Sequence, residues 1–273
     1  YFCAPDPHLL NILASYPLIV LMPRYFMELA YDGTPYRGWQ RQLAAPSVQE
    51  EVEKALRLSL HRPNVTALGC GRTDTGVHAS SYFVHFDAVE PIPDGARFSN
   101  SINGILPPSI AAKRLIPVAD DAHARFSATG REYTYLIHRK KDPFLHDRSY
   151  LLRLELDVSA MDAACQALID KRDFACFQRT GSDNRTSICD VRQANWTDTD
   201  IGYRFTITAD RYLRNMVRAI VGTCIRIGKG HWPASCMAEV IASGERGRAG
   251  KSAPACGLYL SRITYPFIPQ EAQ

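Results

Sequence analysis

The sequence offers no short route to a cofactor. Its eight cysteines contain no C-x-x-C pair, and no Cys/His run has the spacing of a zinc site. His78, His85 and His123 show neither metal-ligand spacing nor a nucleophile partner pattern. A phosphate-binding loop and the G-x-G-x-x-G dinucleotide fingerprint are both missing. These absences argue against a metal site and leave no sign of a phosphate-binding loop or a dinucleotide site. Long apolar runs are missing too. The most apolar stretch, Leu9 to Met22, is interrupted by Asn11, Ser15 and Pro17. It falls short of the ~20 residues of a membrane helix and lacks the basic flank and small-residue cleavage pattern of a signal peptide. Charge of one sign is scarce: 32 Lys and Arg against 28 Asp and Glu leave +4. That balance permits a nucleic-acid partner without demanding one. No repeat of solenoid period is visible.

What is present suits a soluble globular protein. The 273 residues are 46% hydrophobic and 22% charged, enough to bury a core without a disulfide or metal staple. Cys165 and Cys224 lie inside apolar runs, so the cysteines read as reduced thiols of a cytosolic, hence cytoplasmic, protein. Residues 1–21 differ in character from the rest of the chain and read as an extra N-terminal segment, with Met22 as the natural start. Alternating or apolar runs predict strands at 24–31, 64–69, 81–87, 111–118, 131–138, 189–197, 203–209 and 257–265. Helices are expected at 97–105, 159–169 and 234–243, and after the capping box Ser47-x-x-Glu50. The longest is expected over Arg211–Gly228, with Arg211, Arg214 and Arg218 within about 60° of one another on one flank. The pattern repeats before and after residue 125 or so. This predicts an α+β fold of two similar mixed α/β halves, antiparallel sheets with helices on one face. The halves would span 22–125 and 126–273, with a cleft between them.

One stretch organises the candidates for chemistry: Gly69-Cys70-Gly71-Arg72-Thr73-Asp74-Thr75-Gly76-Val77-His78. So many glycines suit a tight loop rather than a helix or strand. Asp74 can simply cap such a turn. Alternatively it is a carboxylate nucleophile or base, which gains from positioning and from partial burial beside a cation. Arg72 and the 211/214/218 group could supply that cation, or form a solvated face. Tyr133 and Tyr135 can be core aromatics or, facing a cleft, can stack on a base. Residues 36–42 interleave Tyr36 and Trp39 with Arg37 and Arg41, a modest nucleic-acid signal.

Several motifs together carry a resemblance. They are Tyr31-Asp32-Gly33-Thr34-x-Tyr36-x-Gly38-Trp39-Gln40-Arg41-Gln42, Ser47-Val48-Gln49-Glu50, and Gly71-Arg72-Thr73-Asp74-x-Gly76-Val77-His78. Next come Asp120-Asp121-x-His123-Ala124-Arg125-Phe126-Ser127-Ala128-Thr129 with Arg131, Tyr133 and Tyr135, then Leu213-Arg214-x-Met216-Val217-Arg218-x-Ile220-Val221-Gly222. In this order, over 24–265, the chain resembles the tRNA pseudouridine synthase A family. Thr75 stands where family members usually carry Ala. The resemblance implies isomerisation of uridine to pseudouridine at positions 38, 39 and 40 of the tRNA anticodon stem-loop, by a homodimer without metal or cofactor. It makes Asp74 the nucleophile, Tyr133 the contact to the target base and Arg218 the partner of the carboxylate. Arg72, Arg37, Arg41, His78, Arg125, Arg131 and Arg214 become expected RNA contacts. Two rivals remain: a tRNA-binding module without catalysis, and a glycoside or nucleoside hydrolase. The hydrolase usually needs a second carboxylate, which the glycine loop lacks.

Overall fold

Tyr25, Met27, Leu29 and Tyr31 alternate along Arg24–Tyr31, which forms strand β1. We describe residues 22–181 and 186–269 of a computed structural model. The reading of residues 1–21, Cys3 and part of the polar 178–187 loop lie outside the described residues. Helix α1 runs Val48–Ser59 from the expected cap, with the Ser47 hydroxyl accepting the Glu50 N–H at 3.4 Å. Strand β2 is only Leu68–Gly69, β3 is His78–Asp87, helix α2 is Gly95–Asn103 and β4 is Ile110–Val118. The second half holds β5 (Gly130–His138), β6 (Tyr150–Leu151), α3 (Val158–Cys165) and β7 (Asp170–Asp173). It continues with β8 (Ile188–Thr199), β9 (Gly202–Ala209), α4 (Met216–Gly228), α5 (Cys236–Ser243) and β10 (Leu258–Thr264).

The fold is α+β as expected, but the halves share one sheet. Its strand order is β4-β1-β3-β10-β5-β9-β8-β7, with β2 on β3 and β6 on β5. The last strand, β10, fills the centre. It runs parallel to β3, pairing Tyr259 with His78, and antiparallel to β5, pairing Leu260 with Tyr133. One buried cluster holds Tyr25, Met27, Leu29, Tyr82, Val84 and Phe86 of the sheet with Val48, Val52 and Leu56 of α1. The register pairs Tyr25 with Phe86, Met27 with Val84 and Leu29 with Tyr82, so these side chains share a face. On the other face Phe26 meets Tyr265 and Phe267 at ring distances of 5.1 and 5.7 Å. A second cluster joins Trp196, Phe205 and Ile207 to Met161 of α3 and Ile220, Val221 and Cys224 of α4. Tyr133 packs against both clusters, at their seam.

Two expectations change. Helix α4 starts at Met216, not Arg211, because Asn215 sits at φ 68°, a left-handed conformation no helix interior accepts. Arg211 and Arg214 therefore precede the helix, and the flank inferred from helical periodicity does not exist as such. Strand β7 was not expected: Asp170–Asp173 is polar and exposed at all four positions, so it carries no alternation for a sequence to reveal. Five of the described cysteines are buried, and burial pushes the thiols of Cys70, Cys176 and Cys189 up to about 12. Among the described residues no helix is long and apolar enough to cross a membrane.

His85 lies 3% exposed in β3, its Nδ1 accepting the Ala124 N–H at 3.1 Å. Burial, with the neighbouring His123 and Arg24, lowers its pKa from 6.5 to about 4. Burial lowers His78, His123 and His138 as well. The unfolded chain then binds protons that the folded chain resists, so stability is complete above the ordinary histidine pKa and falls as pH drops from about 6.5 toward 4. The urea midpoint is expected to fall between pH 7.5 and 5. His85→Asn, which keeps an acceptor, should shrink that fall; an unchanged fall would remove His85 as a contributor.

Candidate active site

The loop between β2 and β3 carries Asp74 and is held from beneath by aromatic side chains. The Tyr31 hydroxyl bonds Thr73 Oγ1 at 2.9 Å, and the Tyr82 hydroxyl donates to the Gly71 carbonyl. The Trp39 ring lies 4.4 Å from that of Tyr82, and the Trp39 backbone N–H donates to the Thr73 carbonyl at 3.3 Å. Gly38 takes φ 95° there, and a Cβ on it would collide with that same carbonyl. Gly76, at φ 73°, turns the chain after Asp74 and donates to the Tyr36 carbonyl at 3.4 Å. A side chain at Gly71 would meet open space, so sterics there do not require glycine. Tyr36 and Trp39 are both buried, so the aromatics of 36–42 brace the loop rather than face outward.

The other half supplies the cations. Asp74 Oδ1 lies 3.8 Å from Arg214 Nε, and Oδ2 lies 3.7 Å from Arg218 Nη1. Arg218 is fixed at the start of α4: its Nε donates to the Ala253 carbonyl at 2.7 Å, and its own carbonyl accepts the Ala253 N–H at 2.9 Å. Asn215, whose left-handed turn separates the two arginines, donates through Nδ2 to Ser252 Oγ at 2.6 Å. At an effective dielectric near ~20, a pair at such distance is worth on the order of 4 kcal/mol before desolvation. Arg214 contributes less, because its side chain is more than half exposed and therefore screened. The Asp74 side chain is 26% exposed, so it is sheltered yet reachable.

Tyr133, on β5, is half-buried and meets Tyr212 edge-on at 5.0 Å. Burial drives its phenol well above the usual range; the Cys70 thiol adds to the rise, Arg131 opposes it and the Asp74 carboxylate adds the least. It is thus a neutral phenol. Tyr135 is fully buried and donates to the Pro254 carbonyl at 2.8 Å, a core residue.

The other expected RNA contacts divide. Arg37, Arg72 and Arg125 are exposed. Arg41 instead pairs with Glu53, whose side chain is 0% exposed and which also takes Arg57 at 3.0 Å and the Ala67 N–H at 3.2 Å. His78 is buried rather than at a surface. Its Nδ1 accepts the Gly33 N–H at 3.1 Å, its Nε2 meets the Cys256 carbonyl at 3.2 Å, and its ring stacks on Tyr259. Arg131 is occupied by three carbonyls: Asp210 at 2.6 Å, Arg125 at 2.7 Å and Cys70 at 3.3 Å. Sequence reasoning missed Glu53, Asn215 and this role of Arg131. Only Glu53 left a trace, as an acid four residues before Arg57.

A sheltered carboxylate facing two arginines, on a loop whose neighbours Arg37 and Arg72 are exposed, suits chemistry on an anionic substrate. A family model described as tRNA pseudouridine synthase matches residues 164–266. Over 245 residues, 90% of this chain, it is 44% identical to tRNA pseudouridine synthase A of Parabacteroides distasonis, covering 97% of that protein. It is 44% identical over 248 residues to the Bacteroides thetaiotaomicron protein of the same name, covering 90% of this chain and 91% of that one. It is 36% identical over 241 residues to tRNA pseudouridine synthase A 2 of Clostridium perfringens, covering 88% and 98%. The chain belongs to the tRNA pseudouridine synthase A family.

Proposed function

We propose that this protein isomerises uridine to pseudouridine at positions 38, 39 and 40 of the tRNA anticodon stem-loop, with Asp74 as its catalytic carboxylate. The observation that carries the reading is the placement of Asp74 between Arg214 and Arg218, on a loop braced by Tyr31, Trp39 and Tyr82. The reaction breaks the C1′–N1 bond, turns the base and forms a C1′–C5 bond. The C5 proton departs and N1 gains one, so no electrons enter or leave. Such a change needs a held base, a carboxylate beside the sugar–base bond and cations around it, all of which side chains can supply.

The target base must leave its stack to reach a sheltered carboxylate, at a cost of a few kcal/mol. Stacking against Tyr133 offsets part of that cost. Contacts from Arg72, Arg37, Arg125 and Arg214 to phosphates offset more and position the strand. Arg218, fixed by Ala253, orients the carboxylate; its two backbone-linked bonds leave Nη1 facing Asp74. The same reading gives a first half at 22–125 bearing the carboxylate and a second at 126–273 bearing its partners. It also gives a homodimer working in the cytoplasm without a metal.

The direct test is to incubate the protein with unmodified tRNA and map pseudouridine. Product at 38, 39 or 40 is expected; binding without product would support a module without catalysis, and free uracil a hydrolase. Asp74→Asn should abolish product while tRNA affinity stays within about threefold. Arg218→Ala should lower kcat more than it weakens binding. If it altered only the salt dependence of binding, Arg218 would be a phosphate contact.

Arg131 generates a separate expectation. A lysine ammonium cannot span the three carbonyls that its planar fork joins. Arg131→Lys should therefore lower kcat about tenfold or more through misplacement of the Asp74 loop, with KM for tRNA within about threefold. A raised KM with kcat preserved, and a salt slope smaller by about one, would make it a phosphate ligand instead.

A further inference from the structure

The turn His123-Ala124-Arg125-Phe126 joins the two halves, and it is tightly fixed. His123 Nδ1 accepts the Arg125 N–H at 3.0 Å and the Phe126 N–H at 3.4 Å. The Ser127 hydroxyl accepts the His123 N–H at 3.0 Å, and the His123 carbonyl accepts the Ser127 N–H at 2.9 Å. Ala124 is buried: its N–H goes to His85 and its carbonyl accepts from the Tyr265 hydroxyl. The Arg125 carbonyl takes Arg131 Nη2 at 2.7 Å.

At the end of this anchored turn, Phe126 is 75% exposed. Its ring lies 4.4 Å from that of His123, which in turn packs edge-on to His85 at 4.5 Å. The Arg125 guanidinium sits 5.5 Å from the Phe126 centroid. A phenyl ring held in water on a rigid turn, backed by an imidazole and flanked by a guanidinium, has the chemistry on which a nucleobase stacks. Its location bears on which base. The Arg131 Nη2 that holds the Arg125 carbonyl also reaches the Cys70 carbonyl at 3.3 Å. Cys70 precedes Asp74 by four residues, at most about 14 Å of chain. The turn thus stands beside the Asp74 loop, unlike Phe144, the other highly exposed phenylalanine among the described residues, which lies in a separate loop after β5.

We propose that Phe126, with Arg125 at its ring, is a stacking platform for an unpaired base of the RNA near the target uridine. Stacking needs only a π-face, so this contact holds RNA without reading its sequence. It would let one site accept neighbouring uridines in differing contexts. The proposal rests on the tRNA reading above, and the two are separable by experiment.

The test compares full-length wild type with Phe126→Ala, Phe126→Leu and Phe126→Trp, each checked for folding by circular dichroism. Unmodified tRNA transcript is the probe, at several salt concentrations. Phe126→Ala should raise Kd about 5- to 150-fold with an unchanged salt slope, since no charge is lost. Phe126→Trp should restore affinity to within about threefold, and its added emission should be quenched by tRNA; Phe126→Leu should not restore it. An Ala variant within about twofold of wild type, an absent quench, or restoration by Leu would overturn the platform. Loss of a dimer in sedimentation with Kd unchanged would overturn it as well, in favour of a protein contact. Wild type that binds tRNA but makes no pseudouridine would refute the catalytic reading alone, leaving the Kd comparison to decide on Phe126.

Discussion

Two guanidinium groups can face one carboxylate only when a loop from one half and a helix start from the other are held in fixed relation. That constraint organises much of the molecule. Arg214 and Arg218 reach Asp74 at 3.8 and 3.7 Å, near enough that a shift of one ångström matters. The central strand β10 provides the coarse alignment by pairing with β3 and β5 at once. Single side chains refine it. His78 ties the end of the Asp74 loop to the Cys256 carbonyl, just before β10. Arg131 ties the start of that loop to the turn after β9, from which Arg214 and α4 follow. The carboxylate is thus clamped on both sides from the half that supplies its cations.

This division of labour explains why residue type was a poor guide to role. Arginine and histidine in a loop-rich sequence suggest contact with RNA. His78, Arg41 and Arg131 nevertheless spend their hydrogen-bonding capacity inside the protein, on Gly33 and Cys256, on Glu53, and on three carbonyls. Each satisfies groups that burial would otherwise leave unpaired. Side chains that look like ligands for a substrate are, in these places, ligands for the backbone that presents the substrate's site.

Much of the fold was legible because it depends on local periodicity. The alternation in 24–31 and the Ser47 cap translate directly into β1 and α1. The start of α4 was not legible, since the apolar stripe continues through Leu213 while the break is set by the left-handed Asn215, held by Ser252 far along the chain. Strand β7 has no apolar alternation, and the central placement of β10 is a matter of pairing partners, which a sequence does not state. In the site, Asp74 stood out by its glycines and motif. The 211/214/218 group was one of two candidate sources of its cation, grouped by a helical face that does not exist; two of its members, Arg214 and Arg218, lie near the carboxylate. The two arginines meet the carboxylate across a turn and a helix start, not along one helix flank.

The net charge of +4 also gains meaning from these placements. Several basic residues are paired where they stand: Arg24 with Asp87, Arg41 and Arg57 with the one carboxylate of Glu53, and Lys113 and Arg114 with that of Glu28. Each acid lowers the charge its partners present to solvent. Arg37, Arg72 and Arg125 are exposed on the loops that surround the Asp74 brace. A polyanion therefore responds less to the protein's total charge than to where the unneutralised part of it lies. A weakly basic chain can favour RNA at one face while the rest of its surface stays indifferent. Stacking on a ring does not weaken with salt as phosphate contacts do, so on the proposed reading Tyr133 and Phe126 would complement the arginines by holding RNA when the charged contacts are screened.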